Sequence, residues 1–167
     1  MPMGFAARIN DPTAHGGLLV PGPPSSNVMI GGQLAWLGMT PAAVATLVKI
    51  VTDGLKNIAD KTAKVAAAAA LPPPGGPPAL LKAQKDLAQA VKDAVSKAVG
   101  FMASSGVSMN ICPVVKVLIP DGSGVVITPS NTVLINNWGA CRVGDTIQEA
   151  TSVNMIAMGW PTVIIGG

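Results

Sequence analysis

The chain has 167 residues, of which 49% are apolar and only 11% are charged. This length fits one ordinary domain, and the 19 glycines and 15 prolines indicate a chain rich in turns. The net charge of +3 is small and the aromatic residues are limited to three Trp and two Phe, so the composition argues against a nucleic-acid-binding protein. The low charge predicts that a partner covers part of the surface.

Residues 1–8 (MPMGFAAR) contain neither a charged n-region nor an apolar h-region, so no secretory signal is expected there. We therefore expect the protein to start in the cytoplasm. In that reducing compartment Cys112 and Cys141 are expected to be free thiols or metal ligands rather than a disulfide.

One short phrase occurs twice, and a shortened third copy closes the chain. Residues 24–32 (PSSNVMIGG) align with residues 129–137 (PSNTVLINN), and residues 161–167 (PTVIIGG) repeat their core. Each copy combines an apolar strand with a Gly or Asn turn, and in the first two copies a second short strand follows, which predicts a small β unit. The phrases that follow the first two copies also match each other and the N-terminal phrase: residues 35–40 (AWLGMT), 140–146 (ACRVGDT) and 5–11 (FAARIND). One hairpin cannot bury its apolar face alone, so we expect the units to stack as a pseudo-threefold β body.

Residues 41–103 differ in character and predict two helices. Thr40 and Pro41 form a typical helix start, and the apolar positions that follow recur at steps of three and four up to about Ala70: Val44, Val48, Val51, Leu55, Ile58, Thr62 and Val65. The proline-rich residues 72–78 (PPPGGPP) end this helix. The apolar face of the second helix consists of Leu80, Leu87, Val91, Val95, Val99 and Met102.

The two helices predict an antiparallel hairpin inserted into the β body. The fold class is therefore mainly β, with residues 1–40 and 104–167 forming the β body and residues 41–103 the insertion. The longest uncharged stretch of the hairpin, residues 65–79, is broken by prolines and falls short of the roughly 20 apolar residues of a membrane span. A soluble hairpin is expected, and its alanine-rich segment is a candidate contact with a neighbouring subunit.

Together these phrases resemble the PAAR-repeat family. The matching residues are Ala6-Ala7-Arg8, His15-Gly16-Gly17, the repeated Val-x-Ile phrases and residues 140–146, so the match covers residues 4–38 and 106–167. The resemblance implies a conical β fold that forms the tip of a contractile injection machine, in type VI secretion or a phage-like extracellular system. It also implies a trimeric VgrG-like spike protein as partner, with one tip per trimer, and it assigns no role to the hairpin.

The resemblance also implies a zinc site near the tip, built from histidines and a cysteine. His15 and Cys112 stand at two of the family's ligand positions. Asp121 stands where members have a histidine, and Trp160 stands where similar chains often have a cysteine. Asp121 could supply an oxygen ligand, whereas tryptophan cannot bind a metal, so we expect a weakened site of His15, Cys112 and Asp121, or a site in which Trp160 fills the vacant space.

The residues themselves leave several alternatives open. His15 is a structural hydrogen-bonding group, a metal ligand or, with Asp11, a general base. Cys112 is a ligand or an apolar filler, and Cys141 is a filler. Asp11 and Asp145 close equivalent Arg-x-x-Asp phrases and are expected to cap turns or to pair with Arg8 and Arg142. The tryptophans Trp36, Trp138 and Trp160 are either buried or form a binding platform.

No nucleotide-binding loop, nucleophile elbow or metalloprotease motif occurs in the sequence, so we expect a structural protein and not an enzyme. The expected function is to cap and sharpen a trimeric spike, and the protein would leave the cell with the particle. Two alternatives stay open. The hairpin could recruit a toxin cargo to the spike, or it could itself disturb bilayers.

Overall fold

The computed structural model describes residues 3–20, 27–116 and 119–167, and it describes no side chains between residues 115 and 121. Two long helices lie between groups of short strands. The described chain is 38% helix and 31% strand, so it is mixed α and β, and the prediction of a mainly β chain needs this correction. The long helices account for the difference, because each contains 29 residues.

Within the described residues the strands form four antiparallel sheets. In chain order the strands are β1 (Gly4–Ala6), β2 (Leu18–Val20), β3 (Met29–Ile30), β4 (Gln33–Leu34), β5 (Leu37–Gly38), β6 (Met109–Lys116), β7 (Ile119–Val126), β8 (Leu134–Ile135), β9 (Trp138–Ala140), β10 (Thr146–Glu149), β11 (Val153–Met155) and β12 (Trp160–Ile165). The largest sheet has the order β11-β10-β7-β6-β2, and the smaller ones are β1-β12, β3-β4 and β5-β9-β8.

The first two sequence repeats form the predicted hairpins. β3 pairs with β4 around Gly31 and Gly32, and β8 pairs with β9 around Asn136 and Asn137. All four turn residues have positive φ, a conformation that Gly and Asn tolerate better than other residues. The third copy, β12, pairs instead with the N-terminal strand β1. The residues at 24–26, which open the first copy, lie outside the described part of the chain.

The three repeats meet in a closed ring of backbone hydrogen bonds. The amide of Ala7 donates to the carbonyl of Cys141, Cys141 donates to Trp36, and Trp36 donates to Ala7, at 2.9, 3.0 and 2.9 Å. The same cyclic order recurs in the bridges that pair Ala6 with Arg142, Arg8 with Ala35 and Leu37 with Ala140. The repeats are therefore arranged around a local pseudo-threefold axis.

Buried side chains extend this arrangement into layers. Ala6, Ala35 and Ala140 belong to one core cluster with Ile30 and Ile165. A second cluster contains the ring residues Ala7, Trp36 and Cys141 together with Leu19, Val126 and Ile156. The last three are equivalent as well, because their carbonyls accept from Asn10, Met39 and Gly144 respectively. The core of the β body thus consists largely of threefold sets.

The two helices are α1 (Pro41–Ala69) and α2 (Gly76–Ser104), and they pack antiparallel as predicted. Thr40 caps α1 by accepting from the amide of Ala43 at 3.4 Å. The second helix begins with Pro77 and Pro78 in its first turn, where a missing N–H costs nothing.

The predicted seam of α1 is only half correct. Val44, Val51, Ile58 and Val65 are buried or half-buried, whereas Val48, Leu55 and Thr62 are exposed. The inward positions between them are Leu47, Gly54 and Lys61. Gly54 lies so close to Ala94 of α2 that a side chain there would collide with it, which shows that small residues set the helix spacing.

The base of the hairpin shares a core with the β body. Leu47 and Val51 of α1 and Ala98 and Met102 of α2 pack in one cluster with body residues. Those body residues are Met39, Val107, Val125 and Ala150. This shared core crosses the predicted domain boundaries at residues 40 and 103. Those boundaries stay a prediction. Within the described chain, neither helix combines the length and the apolar character that crossing a bilayer requires.

Candidate functional site

His15 lies at the tip of a tight turn between Thr13 and Gly17. The amide of Gly16 donates to the carbonyl of Thr13, and the amide of Thr13 donates to the carbonyl of Gly17. Gly16 has a φ of 76°, and a side chain on Gly17 would collide with the backbone of Ile111 in β6. The two glycines after His15 therefore permit the turn and its close approach to β6.

The turn brings His15 to two residues of the largest sheet. Cys112 is buried on β6, and Glu149 is fully buried at the end of β10, with 0% of its surface exposed. β7 lies between β6 and β10 and offers glycines opposite both residues, since Gly122 pairs with Cys112 and Gly124 with Glu149.

The three side chains converge on one point. Nδ1 of His15 lies 3.2 Å from Oε2 of Glu149 and 3.7 Å from Sγ of Cys112. One ligand atom from each residue fits within a span of 4.8 Å. The side chain of His15 is 25% exposed, whereas that of Glu149 is fully buried. We refer to these three residues as the His-Cys-Glu cluster.

The carboxylate of Glu149 is held in its charged form by neighbouring donors. Burial by itself would raise its pKa, but hydrogen bonds from Ser152, Asn154 and Asn110 hold the pKa of Glu149 below its usual value. The donor distances are 2.6, 2.8 and 3.3 Å. The site therefore contains a buried carboxylate that favours its charged form.

This arrangement fits a divalent metal ion better than acid–base catalysis. Imidazole, thiolate and carboxylate are three ligand types that zinc uses, and a site with three protein ligands leaves one position open. In a nucleophilic triad the orienting acid and the cysteine contact opposite ring nitrogens of the histidine. Here both contact Nδ1.

The structure brings together two of the three predicted ligands and adds one that the sequence analysis missed. The side chain of Asp121 lies outside the described residues, so its role stays a prediction. Trp160 lies elsewhere, packed with the layer of Ala6, Ala35 and Ala140 and stacked 4.3 Å from the guanidinium of Arg8. The candidate ligand that the sequence analysis missed is Glu149, which is the only glutamate of the chain, as His15 is the only histidine. The single occurrence of glutamate was the feature of the sequence that could have pointed to Glu149.

The two Arg-x-x-Asp phrases form the predicted capped turns. Asp11 accepts from the amide and guanidinium of Arg8 at 2.8 and 3.0 Å. Asp145 accepts from the same groups of Arg142 at 2.9 and 3.1 Å.

Burial raises the pKa of Asp145 to about 6, against the opposing effect of Arg142. Burial and then the charge of Asp145 also raise the pKa of Cys141 well above its usual value, which fits its predicted role as a filler.

A second notable surface is a ring of exposed apolar side chains at the repeats. Met29, Leu134 and Ile164 occupy the same position of the three copies and are 62%, 56% and 64% exposed. Each precedes an isoleucine that packs with the alanine layer, and successive strand residues point to opposite faces, so these three side chains point away from that layer. We refer to these three residues as the apolar ring.

No family model matches the chain, and no curated protein or solved structure shows significant similarity to it.

Proposed function

We propose that the protein is the PAAR-like tip of a contractile injection machine and caps the blunt end of a trimeric, VgrG-like spike as a single copy. The observation that carries the proposal is the closed hydrogen-bond ring of Ala7, Trp36 and Cys141. It gives a single chain three similar faces around one axis. A trimer ends in three identical faces, so one such chain can match all of them.

The apolar ring supplies the contact surface for this proposal. Its three members are more than half exposed although they are large and apolar, and they repeat around the axis as a trimer's contacts would. Burying each one contributes about 1–2 kcal/mol. The cap also covers strand edges of the spike, which otherwise invite aggregation.

The proposal places the His-Cys-Glu cluster at the pointed end of the tip. Loops at a tip are too short to form a core of their own, and a bound zinc ion would fix them through side chains from the 13–17 turn, β6 and β10. Glu149 takes the place that the family pattern gives to softer ligands. The proposed role is mechanical: contraction of a sheath drives the particle and the tip concentrates the force. The absence of enzymatic activity and the export with the particle stay predictions.

The experiment is a binding assay between the full chain and the trimeric spike protein of the same organism. Met29→Asp, Leu134→Asp and Ile164→Asp should each weaken binding at least about tenfold, because each buries a charge in an apolar contact. Val153→Asp is the matched control, since Val153 is 58% exposed and lies on β11 outside the apolar ring. Equal effects of ring and control variants would refute the proposed contact.

A cargo adaptor is the second candidate function, and one observation favours it. The distal part of the hairpin is largely exposed on both helices, although its apolar residues follow helical spacing. Loss of cargo binding on replacing the distal residues 55–90 with a Gly/Ser link, with spike binding intact, would identify this role.

A further inference from the structure

The hairpin has one long side that carries no charge. On α1 the exposed residues of this side follow steps of four and three: Val48, Thr52, Leu55, Ala59, Thr62 and Ala66. Each of them directly follows a residue that faces α2. They therefore form a second row along α1, which no other part of the described chain covers. Val48 and Leu55 are 43% and 45% exposed.

The second helix continues the same side. Leu81, Gln84 and Ala88 are exposed, and Val91 is half-buried beside them. A groove between the two helices marks the opposite side of the hairpin. It is lined by Ile50, Asp53, Asn57, Asp93 and Lys97. Helical geometry places the two uncharged rows together, on the side away from this groove. We refer to them as the uncharged face.

The edges of the uncharged face are basic. Lys56 lies at its outer edge on α1, and Lys85 and Lys92 lie at its outer edge on α2, all of them exposed. Lys49 instead pairs with Asp53 at 2.9 Å. Negative charge is concentrated elsewhere, since Asp53 and Asp93 line the groove on the other side. A partner that covers the uncharged face therefore meets lysines along both edges.

We propose that the uncharged face binds an amphipathic helix of a partner protein whose apolar stripe is flanked by acidic residues. Ala59, Ala66 and Ala88 leave room for a close helix, and a third helix would complete the seam that α1 and α2 leave open. Acidic side chains along its flanks would meet the two lysine edges. A second copy of this chain fits poorly, because its lysine edges would face lysines.

The side chains of the uncharged face favour a protein partner over a lipid surface. Small or polar side chains such as Ala59, Thr62 and Gln84 favour helix packing over insertion into lipid, which uses bulky apolar residues.

Two synthetic helical peptides test the proposal. Both carry the same leucine and alanine heptad stripe, and one has glutamates on its flanks while the other has lysines. The full chain should bind the glutamate peptide at least about tenfold more tightly, and added salt should reduce the difference. Equal binding of both peptides, or binding of neither, would overturn the proposal.

Variants locate the contact. Leu55→Glu or Leu81→Glu should weaken binding of the glutamate peptide at least about tenfold, whereas Asn57→Glu, on the groove side, should not. The double change Lys56→Glu with Lys92→Glu should reverse the preference and favour the lysine peptide. Circular dichroism checks that each variant keeps its helices.

The competing occupants give different results. Binding to anionic phosphatidylglycerol vesicles without binding to the glutamate peptide would overturn the proposal in favour of a membrane contact. A stable dimer in analytical ultracentrifugation that Leu55→Glu dissociates would overturn it in favour of self-association. Neither result depends on the spike, so the proposal can fail while the spike assignment stands, and the reverse.

Discussion

Removing the carboxylate of Glu149 should destabilise the protein even without metal. Asn110 and Asn154 both donate to Oε1 of Glu149 and are 1% and 4% exposed. Each buried donor that loses its acceptor costs about 1–3 kcal/mol. Asn154 retains a bond to Thr13, so its share is at the lower end, and the space left by the side chain adds to the loss. We expect Glu149→Ala to lower the free energy of unfolding by about 3–5 kcal/mol.

The matched variant is Glu149→Gln, which keeps one acceptor oxygen and the shape of the side chain. Its loss should be about 1–2 kcal/mol. Urea unfolding at neutral pH in the presence of a chelator measures both. The reasoning would be refuted if Glu149→Ala stayed within about 0.5 kcal/mol of the unchanged protein, the range of ordinary surface substitutions.

The pH dependence provides an independent check. Because the folded-state pKa of Glu149 is lowered, the unfolded chain takes up a proton before the folded chain does as the pH falls. The stabilisation is complete above the unfolded pKa of about 4.3 and decreases as the pH falls below it. The difference in stability between the unchanged protein and Glu149→Gln should therefore shrink in acid.

Three further predictions concern other parts of the molecule. Zinc should raise the melting temperature of the unchanged protein and not that of Cys112→Ser, as measured by scanning calorimetry; an equal shift in both would exclude the thiolate as a ligand. Because the pKa of Asp145 is raised to about 6, the folded chain binds the extra proton and stability should fall by on the order of 3 kcal/mol as the pH rises from about 4 to above 6. Asp145→Asn should reduce this slope in urea titrations, and an unchanged slope would contradict the assignment. Replacing residues 55–90 with a Gly/Ser link should preserve cooperative unfolding, whereas replacing residues 41–103 should expose Met39 and Val125 of the shared core and cause aggregation in light scattering; equal solubility of both deletions would contradict the shared core.

Local patterns in the sequence predicted the turns, the helices and the capped Arg-x-x-Asp phrases, because each depends on neighbouring residues. Asn136, Asn137, Gly31 and Gly32 marked the hairpins, and Thr40 with Pro41 marked the start of α1. The pairing of β12 with β1 was not predicted, since it joins the two ends of the chain. Glu149 was missed for the same reason, because its approach to His15 depends on sheet order and not on spacing in the sequence.

The seam of α1 shows a different difficulty. Val48 and Leu55 are apolar and correctly spaced, and a rule that places apolar residues inside selects them over Gly54 and Lys61. In the structure Gly54 faces Ala94 of α2, because two small residues let the helices approach closely. Hydrophobicity alone cannot distinguish the seam that the second helix covers from the seam that stays open.

The central claim is that one chain with three similar faces caps a trimer. Native mass spectrometry of this protein mixed with the proposed trimeric spike protein tests it most directly. The account predicts one copy of this chain for every three spike chains, and Leu134→Asp should reduce the abundance of that species. A complex of three copies on three spike chains would contradict the account, because the internal ring of Ala7, Trp36 and Cys141 would then have no threefold partner to match.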